Sequence, residues 1–340
     1  MLHDNPFSDI YFSKGRRALQ AAGRNPRVMY QIFQRNSAVL CGMKYVLELF
    51  RTHLAQDLAQ IEVWGLEDGS QISSEETIAL LMGPAQILME FETIYLGLLA
   101  RMTRVATNVR KVVDAARGKP VLFFPARFDA YENQPYDGYA AKIGGVAGCS
   151  TKAQAHDDEP AGTMPHALIA AFNGDMVAAT FALLKAYPDD PVWPLVDFEN
   201  NSARTAVEVF LALKERRLES RMAGIRLDTS SDVFDEGLAA VSDLRGVNPA
   251  LVQQVRAELD RAGAKAVKIC VSGGFDQSKV ARFETENAPV DVYAVGEKMF
   301  AGSNPFTSDI VGYYEGQNLV PSAKVGRCMR PNPDRLKRLI

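Results

Sequence analysis

Two glycine-rich turns stand where short apolar runs end, and their residue types suit the binding of a phosphate. The first interrupts "CVSGGFD" and the second interrupts "YAVGEK"; the residues are Ser272, Gly273, Gly274, Gly296 and Glu297. Glycines let backbone N–H groups approach an oxyanion, and the serine adds a hydroxyl donor. Either turn alone is also compatible with a simple chain reversal. Two such turns in succession predict a monophosphate site.

Charged residues at the ends of two other β-rich runs suggest a second part of the same site. In "GIRLDTSSD", Arg226 and Asp228 stand two residues apart and so share one side of a strand. Asp197 ends the run "PLVD". Carboxylates can hold ribose hydroxyls or a magnesium-bound pyrophosphate, and arginine can bind an oxyanion with two parallel bonds. The alternative is that Asp228 and Asp232 cap the following helix.

A histidine and a further arginine follow the same pattern. In "GTMPH", Thr163 can cap a helix and Pro165 suits its first turn, which places His166 beside unpaired backbone N–H groups. His166 is then either a buried, hydrogen-bonded residue or a neutral nucleophile near a bound anion. In "FPARFD", Arg127 can pair with a substrate carboxylate or with Asp129.

The elements that must position these residues begin near residue 119. Short β-rich runs alternate with helical segments, which is typical of parallel β/α units. The runs are 119–124, 143–148, 192–198, 223–228, 266–271 and 290–295. With six or seven strands in about 180 residues, a β/α barrel is favoured over an open sheet. Such barrels build their sites at the carboxyl ends of the strands, where the polar residues stand.

The first part of the chain has a different, mixed pattern. Strands are predicted at 27–33 and 60–66, a helix at 42–56, and a long helical stretch, with room for one break, at 86–118. The sequence therefore predicts a mixed α+β region before the barrel.

Composition excludes several functional classes. The net charge of -3 and the pI near 5.9 argue against a nucleic-acid binder. No apolar run has the length of a signal peptide or a membrane span, and the four cysteines form no Cys-x-x-Cys pair. We therefore expect a cytoplasmic protein with no membrane partner, no disulfide framework and no structural zinc.

The order and spacing of several motifs resemble those of the nicotinate phosphoribosyltransferase family, from about residue 8 to residue 315. The motifs are "SDIYF", "FETIYLGLLARMTRVATNVRKVV", "VLFFPARFD", "GGVAGCST", "GTMPHA", "RLDTSSD", "VSGGFD" and "VDVYAVGEKM". The resemblance implies an irregular β/α barrel of the type II phosphoribosyltransferase kind at 117–299. It also implies an N-terminal domain at 1–116, completed by 300–340.

The resemblance also implies a reaction and its partners. Nicotinate and phosphoribosyl pyrophosphate give nicotinate mononucleotide and pyrophosphate, with Mg²⁺ on the pyrophosphate and ATP as co-substrate. The family implies a homodimer with a shared active site, in which Tyr11 stacks on the pyridine ring in the partner's site.

Roles for the remaining residues follow from the same resemblance. His166 corresponds to a histidine that ATP phosphorylates, and Asp228 is the other catalytic residue. Arg127 and Thr163 bind substrate, as do Ser150 and Thr151 of "CST". Asp197 and Arg226 face ribose and pyrophosphate, and the two glycine turns hold the 5′-phosphate.

Three departures from the family pattern leave alternatives open. Phe128 stands where a second arginine is common, Pro125–Ala126 replaces a frequent Gly-Leu pair, and "DTSS" has serine where glycine is frequent. These departures concern the contacts to the carboxylate of the base. Nicotinamide and quinolinate are the alternative substrates. A barrel that binds a nucleotide without catalysis is the alternative of another class.

Overall fold

The computed structural model describes residues 5–238, 244–330 and 334–340. The chain forms two compact units, Met1–Thr107 with Ala301–Ile340, and Asn108–Phe300. The α-helices are α1 Ile10–Ala21, α2 Met43–His53, α3 Ala85–Ala115, α4 Gln134–Gly144, α5 Lys152–Ala155, α6 His166–Ala171, α7 Met176–Ala186, α8 Ser202–Glu215, α9 Pro249–Arg261 and α10 Gln277–Thr285. The strands are β1 Arg27–Gln34, β2 Ala38–Val39, β3 Glu62–Gly65, β4 Gln71–Ile72, β5 Thr77–Pro84, β6 Val121–Phe123, β7 Gly148–Cys149, β8 Gly224–Leu227, β9 Lys268–Val271, β10 Val292–Val295, β11 Phe306–Glu315, β12 Asn318–Pro321 and β13 Lys337–Arg338.

The first unit is built on a sheet of order β12-β11-β1-β5-β3-β13, in which every pairing is antiparallel. Leu88, Phe91, Tyr95 and Leu99 recur at helical spacing on α3 and are buried in its core. The predicted strands at 27–33 and 60–66 and the helix at 42–56 are confirmed as β1, β3 and α2.

The long helix predicted at 86–118 is one continuous element, α3. It contains neither proline nor an interrupted turn, so the break that the sequence allowed does not occur. No helix of the described residues, α3 included, is both long and apolar enough to cross a membrane.

The second unit contains a parallel sheet of order β7-β6-β10-β9-β8. Backbone hydrogen bonds join its two edges through two extended segments. Ala161 N donates to Cys149 O (2.8 Å), and Met164 N donates to Trp193 O (3.2 Å). The 192–196 segment then reaches β8 through the Leu195–Arg226 bridge. These bonds complete a ring, which confirms the predicted β/α barrel.

Two predicted strands differ from the structure. Within 143–148 the helix α4 continues to Gly144, and the paired strand begins only at Gly148. The 192–198 run makes isolated parallel bridges at Val192 and Leu195 without a continuous strand. Two prolines, Pro191 and Pro194, explain the second difference, since proline cannot donate a hydrogen bond to a neighbouring strand.

Candidate active site

Arg226 connects three chain segments at the carboxyl ends of the barrel strands. Its Nη2 donates to Asp228 Oδ2 at 2.7 Å, and its Nε donates to Ser272 Oγ at 2.8 Å. Its Nη1 donates to Thr163 Oγ1 at 3.1 Å. Asp228 directly follows β8, and its contact with Arg226 shows that the two side chains lie on the same side, as the two-residue spacing predicts. The guanidinium is thereby fixed in direction before any ligand arrives.

Ser272 links the first glycine turn to this charged pair. Its hydroxyl lies 2.6 Å from Asp228 Oδ1 and 3.1 Å from the Leu227 carbonyl, and it can donate to only one of them at a time. Arg226 and Asp228 expose 18% and 20% of their side chains, so a ligand can still reach both. The geometry therefore combines a cation, a carboxylate and a switchable hydroxyl donor.

The capping role predicted for Thr163 is wrong. Helix α6 begins at His166, its N-cap is Pro165, and no side chain in the described part of the chain caps it. Thr163 instead accepts a hydrogen bond from Arg226. The capping role predicted for Asp228 and Asp232 also fails, because no helix of the described chain begins before α9 in this stretch.

His166 and Asp197 form a second pair of functional side chains. His166 Nε2 lies 3.2 Å from Asp197 Oδ2. Some 46% of the His166 side chain is exposed, against 8% for Asp197, so the interpretation of His166 as buried is wrong. The imidazole also lies 6.4 Å from the ring of Phe198. A buried carboxylate orients this exposed imidazole, so it can exchange a proton with a bound ligand or attack it as a nucleophile.

One carboxylate oxygen of Asp197 is not used by the contact with His166. Its Oδ1 is buried and has no hydrogen-bond partner among the described residues. Burial raises the pKa of Asp197, the negative charge of Asp228 raises it further, and His166 opposes both. A buried carboxylate oxygen without a donor fits a ligand hydroxyl or a hydrated cation. No cluster of three or more metal-ligating side chains occurs in the described parts of the chain.

The turn after β9 presents free backbone donors. Gly273 and Gly274 have φ angles of +89° and +64°, which side chains other than glycine rarely adopt. Across the described residues, neither N–H group has an acceptor. A Cβ on Gly273 would lie 3.6 Å from Asp228 Oδ1, so the turn and the charged pair are neighbours. This arrangement matches the predicted oxyanion cradle in shape.

The turn after β10 is supported differently. Glu297 begins a short 3₁₀ helix, Glu297–Phe300, and Met299 N donates to Gly296 O at 3.0 Å. A Cβ on Gly296 would meet the ring of Phe128 at 2.9 Å. The glycine of this turn has an aromatic ring as its neighbour, whereas the first turn has charged groups.

The residues after β6 and β7 are used locally. Thr151 caps α5 by accepting from Gln154 N at 3.2 Å, and it donates to Gln134 Oε1 at 2.8 Å. Ser150 donates to Gln154 Oε1 at 3.2 Å. Arg127 is exposed, and its guanidinium lies 5.6 Å from the ring of Phe128. Among the described residues, hydrogen bonds therefore do not connect these predicted residues to the Arg226 cluster.

Tyr11 belongs to the first unit, where it is the second residue of α1. The side chain is exposed, and its ring lies 4.3 Å from that of Phe12. Its placement in a partner's site stays a prediction.

Two residues of this region were missed by the sequence analysis. Lys279 Nζ donates to the Gly273 carbonyl at 2.8 Å, and the Phe124 ring lies 5.8 Å from the Arg226 guanidinium. The one signal for Lys279 is its position, since a cation in the first turn of a helix opposes the helix dipole. Phe124 continues an apolar run and has no distinguishing signal.

Three comparisons bear on this site. Residues 9–103 match the family model described as "Quinolinate phosphoribosyl transferase, N-terminal domain". A nicotinate phosphoribosyltransferase of Mycobacterium tuberculosis is 29% identical over 304 residues, which are 86% of this chain and 61% of that protein. The chain thus spans about three fifths of that relative's length.

Two solved structures share the fold. The nicotinate-nucleotide pyrophosphorylase of Pyrococcus furiosus is 28% identical, with a TM-score of 0.78 over 94% of this chain and 77% of that one. Human nicotinic acid phosphoribosyltransferase has a TM-score of 0.71 at 19% identity, over 90% of this chain and 75% of that one. The second likeness is one of fold alone.

Proposed function

We propose that this chain, which belongs to the nicotinate phosphoribosyltransferase family, converts nicotinate and phosphoribosyl pyrophosphate into nicotinate mononucleotide and pyrophosphate, in cytoplasmic NAD salvage. One observation carries the proposal. The donor-rich Gly273–Gly274 turn adjoins the Arg226–Asp228–Ser272 cluster at the carboxyl ends of the barrel strands. That placement provides for a phosphate and a ribose side by side.

In the proposed reaction, the pyridine nitrogen attacks the anomeric carbon of ribose as pyrophosphate leaves. The nitrogen already carries a lone pair, so no general base is required. Positive charge develops on the ribose, and the carboxylates of Asp228 and Asp197 are proposed to stabilise it. Arg226, oriented by Asp228 and Ser272, is available to the leaving group.

Mg²⁺ enters this proposal as part of the substrate, bound to pyrophosphate. Asp197 Oδ1, which has no hydrogen-bond partner among the described residues, fits such a hydrated cation. Asp228, whose negative charge acts on Asp197, is proposed as the second carboxylate. The ion supplies neutralisation of the leaving group.

The same pair supports an ATP-coupled step through His166. With Asp197 ionised, the imidazole donates its Nε2–H to Oδ2, and Nδ1 keeps its lone pair. In the proposed step Nδ1 attacks the terminal phosphorus of ATP, the bond to the bridging oxygen breaks, and ADP leaves. Water later hydrolyses the phosphohistidine.

Arg127 is proposed to bind the carboxylate of nicotinate because it is exposed and its only described contact is with the ring of Phe128. Ser150 and Thr151 are proposed to line the same base and phosphate region. The Tyr11 ring is proposed to reach the active site of a second copy, in a homodimer.

The test is a mass-spectrometric assay with phosphoribosyl pyrophosphate, Mg²⁺ and equal concentrations of nicotinate, nicotinamide and quinolinate. It is run with and without ATP on wild type, His166→Ala and the control His53→Ala, an exposed histidine of the first unit. We expect nicotinate mononucleotide, stimulated by ATP in wild type and the control alone. Equal yields with and without ATP would overturn the proposed phosphohistidine step and leave the transferase activity as proposed.

Quinolinate is the second candidate substrate, favoured by the description of the family model that matches residues 9–103. Its second carboxylate needs a further cation besides Arg127, and the proposed reaction already assigns Arg226 to the pyrophosphate. Carbon dioxide release with mononucleotide formed from quinolinate would establish this alternative. No product from any of the three bases would leave a nucleotide-binding barrel without catalysis.

A further inference from the structure

Lys279 makes a contact that the reaction described above does not use. It lies in the first turn of α10, where its own N–H donates to Asp276 Oδ1 at 2.8 Å in the helix cap. The side chain folds back, and Nζ donates to the carbonyl of Gly273 at 2.8 Å. A cation near a helix N-terminus is disfavoured by the dipole, so this position has an energetic cost that the contact offsets.

The surroundings hold the amine in place. Nζ lies 4.3 Å from the centre of the Phe275 ring and 6.0 Å from that of Phe283, and both rings are fully buried. Burial lowers the pKa of Lys279 to about 8, with Arg282 adding to the effect and Asp276 opposing it. The rings of Phe275 and Phe283 on one side and the Gly273 carbonyl as acceptor leave the amine few other positions.

The carbonyl that Lys279 holds belongs to the peptide unit that joins Gly273 to Gly274. In a trans peptide the C=O and the following N–H point in opposite directions. Fixing the Gly273 oxygen against Lys279 therefore directs the Gly274 N–H away from the lysine. Within the described chain that N–H has no acceptor, and a Cβ on Gly274 would meet nothing within 4 Å. The Gly274 N–H is therefore free to donate to a ligand, and the space beside its Cα is open.

We propose that Lys279 is a positioning residue of the Gly273–Gly274 turn. Its amine holds the Gly273 carbonyl and so directs the Gly274 N–H at the 5′-phosphate. This inference rests on the proposed function, since it takes the turn to bind the phosphate of the phosphoribosyl group. Glycine on both sides of the peptide makes such a device useful, because glycine backbone is otherwise free to rotate. Lysine thereby replaces rigidity that the turn's own residues lack.

The experiment measures binding of two ligands that differ only in the 5′-phosphate, nicotinate mononucleotide and nicotinate riboside, by calorimetry. The variants are Lys279→Met, which keeps the length without the donor, and Lys279→Gln, which restores a neutral donor. Lys268→Met is the control, an exposed lysine at the opposite end of β9. Circular dichroism and thermal unfolding establish that each variant is folded.

We expect Lys279→Met to weaken mononucleotide binding about tenfold, the size of one lost hydrogen bond to a charged group, and to leave riboside binding unchanged. Lys279→Gln should recover part of the loss, and Lys268→Met should bind as wild type. In the assay, KM for phosphoribosyl pyrophosphate should rise more than kcat falls.

Each other result has a distinct meaning. If Lys279→Met retains the wild-type preference for the mononucleotide over the riboside, the positioning role is overturned and the proposed function stands. If it weakens both ligands equally, Lys279 acts on the fold and the proposal is also overturned. If wild type itself does not distinguish the two ligands, the Gly273–Gly274 turn does not bind the 5′-phosphate, and the proposed role of Lys279 is overturned as well. Absence of product with intact mononucleotide preference would overturn only the transferase.

Discussion

The two glycine turns look alike in sequence, yet the structure supports them in different ways. In the turn after β9, Ser272 contacts the guanidinium of Arg226 and the carboxylate of Asp228. The amine of Lys279 contacts the Gly273 carbonyl of the same turn. Behind the turn after β10 stand a short 3₁₀ helix and the ring of Phe128. We therefore expect the first turn to be sensitive to charge and backbone geometry. We expect the second turn to tolerate more change, because packing supports it.

The most damaging change should be one that breaks the charged support. Asp228→Asn keeps the shape but removes the charge that orients Arg226 and faces the ribose. We expect kcat/KM for phosphoribosyl pyrophosphate to fall roughly a thousandfold, as when a transition-state charge contact is lost. The control is Asp232→Asn, an exposed aspartate nearby. A loss below tenfold in a folded Asp228→Asn variant would mean that charge support is not what distinguishes the first turn.

A paired substitution compares the turns directly. Gly273→Ala puts a side chain at φ +89° and 3.6 Å from Asp228 Oδ1, whereas Gly296→Ala meets mainly the movable edge of the Phe128 ring. Backbone strain of about 1–2 kcal/mol should raise KM for phosphoribosyl pyrophosphate roughly tenfold in Gly273→Ala, and less in Gly296→Ala. Initial-rate kinetics measure both, with Gly97→Ala on α3 as the control. Equal effects would contradict the contrast.

Removing the aromatic support should have a smaller effect. Phe128→Ala takes away a ring that is 44% exposed, so little burial is lost. We expect a rise of about threefold in the Kd of nicotinate mononucleotide, equivalent to less than 1 kcal/mol. Tyr131→Ala removes a more exposed ring of the same loop and should leave the Kd unchanged. A tenfold loss in Phe128→Ala would show that the second turn is held as tightly as the first.

The smallest effect concerns pH. Burial and Asp228 raise the pKa of Asp197, and His166 lowers it. Since the ionised carboxylate is the active form, the acidic limb of kcat/KM should lie above the ordinary aspartate value of about 3.9. In His166→Ala, assayed without ATP, the limb should move to still higher pH. A shift to lower pH would mean that another group controls the limb.

Local patterns determined a large part of this protein. Alternating strands and helices predict the barrel. The Asn-Pro pair that opens α9 is typical of a capped helix start, and Asn248 Oδ1 accepts from Leu251 N at 3.0 Å. The spacing of Arg226 and Asp228 alone placed them on one side of β8. These features follow from periodicity and capping chemistry, which act over a few residues.

Contacts between distant residues were decided by the tertiary structure. Thr163, a convincing helix cap in sequence, accepts from Arg226 because ring closure brings the 161–164 segment beside the strands. Lys279 reaches back to Gly273 only because buried rings leave its amine that direction. The sequence by itself therefore determined which chemical groups stand at the strand ends. Which of them meet was decided by the closure of the barrel, since a hydrogen bond requires a distance and an angle that no spacing along the chain specifies.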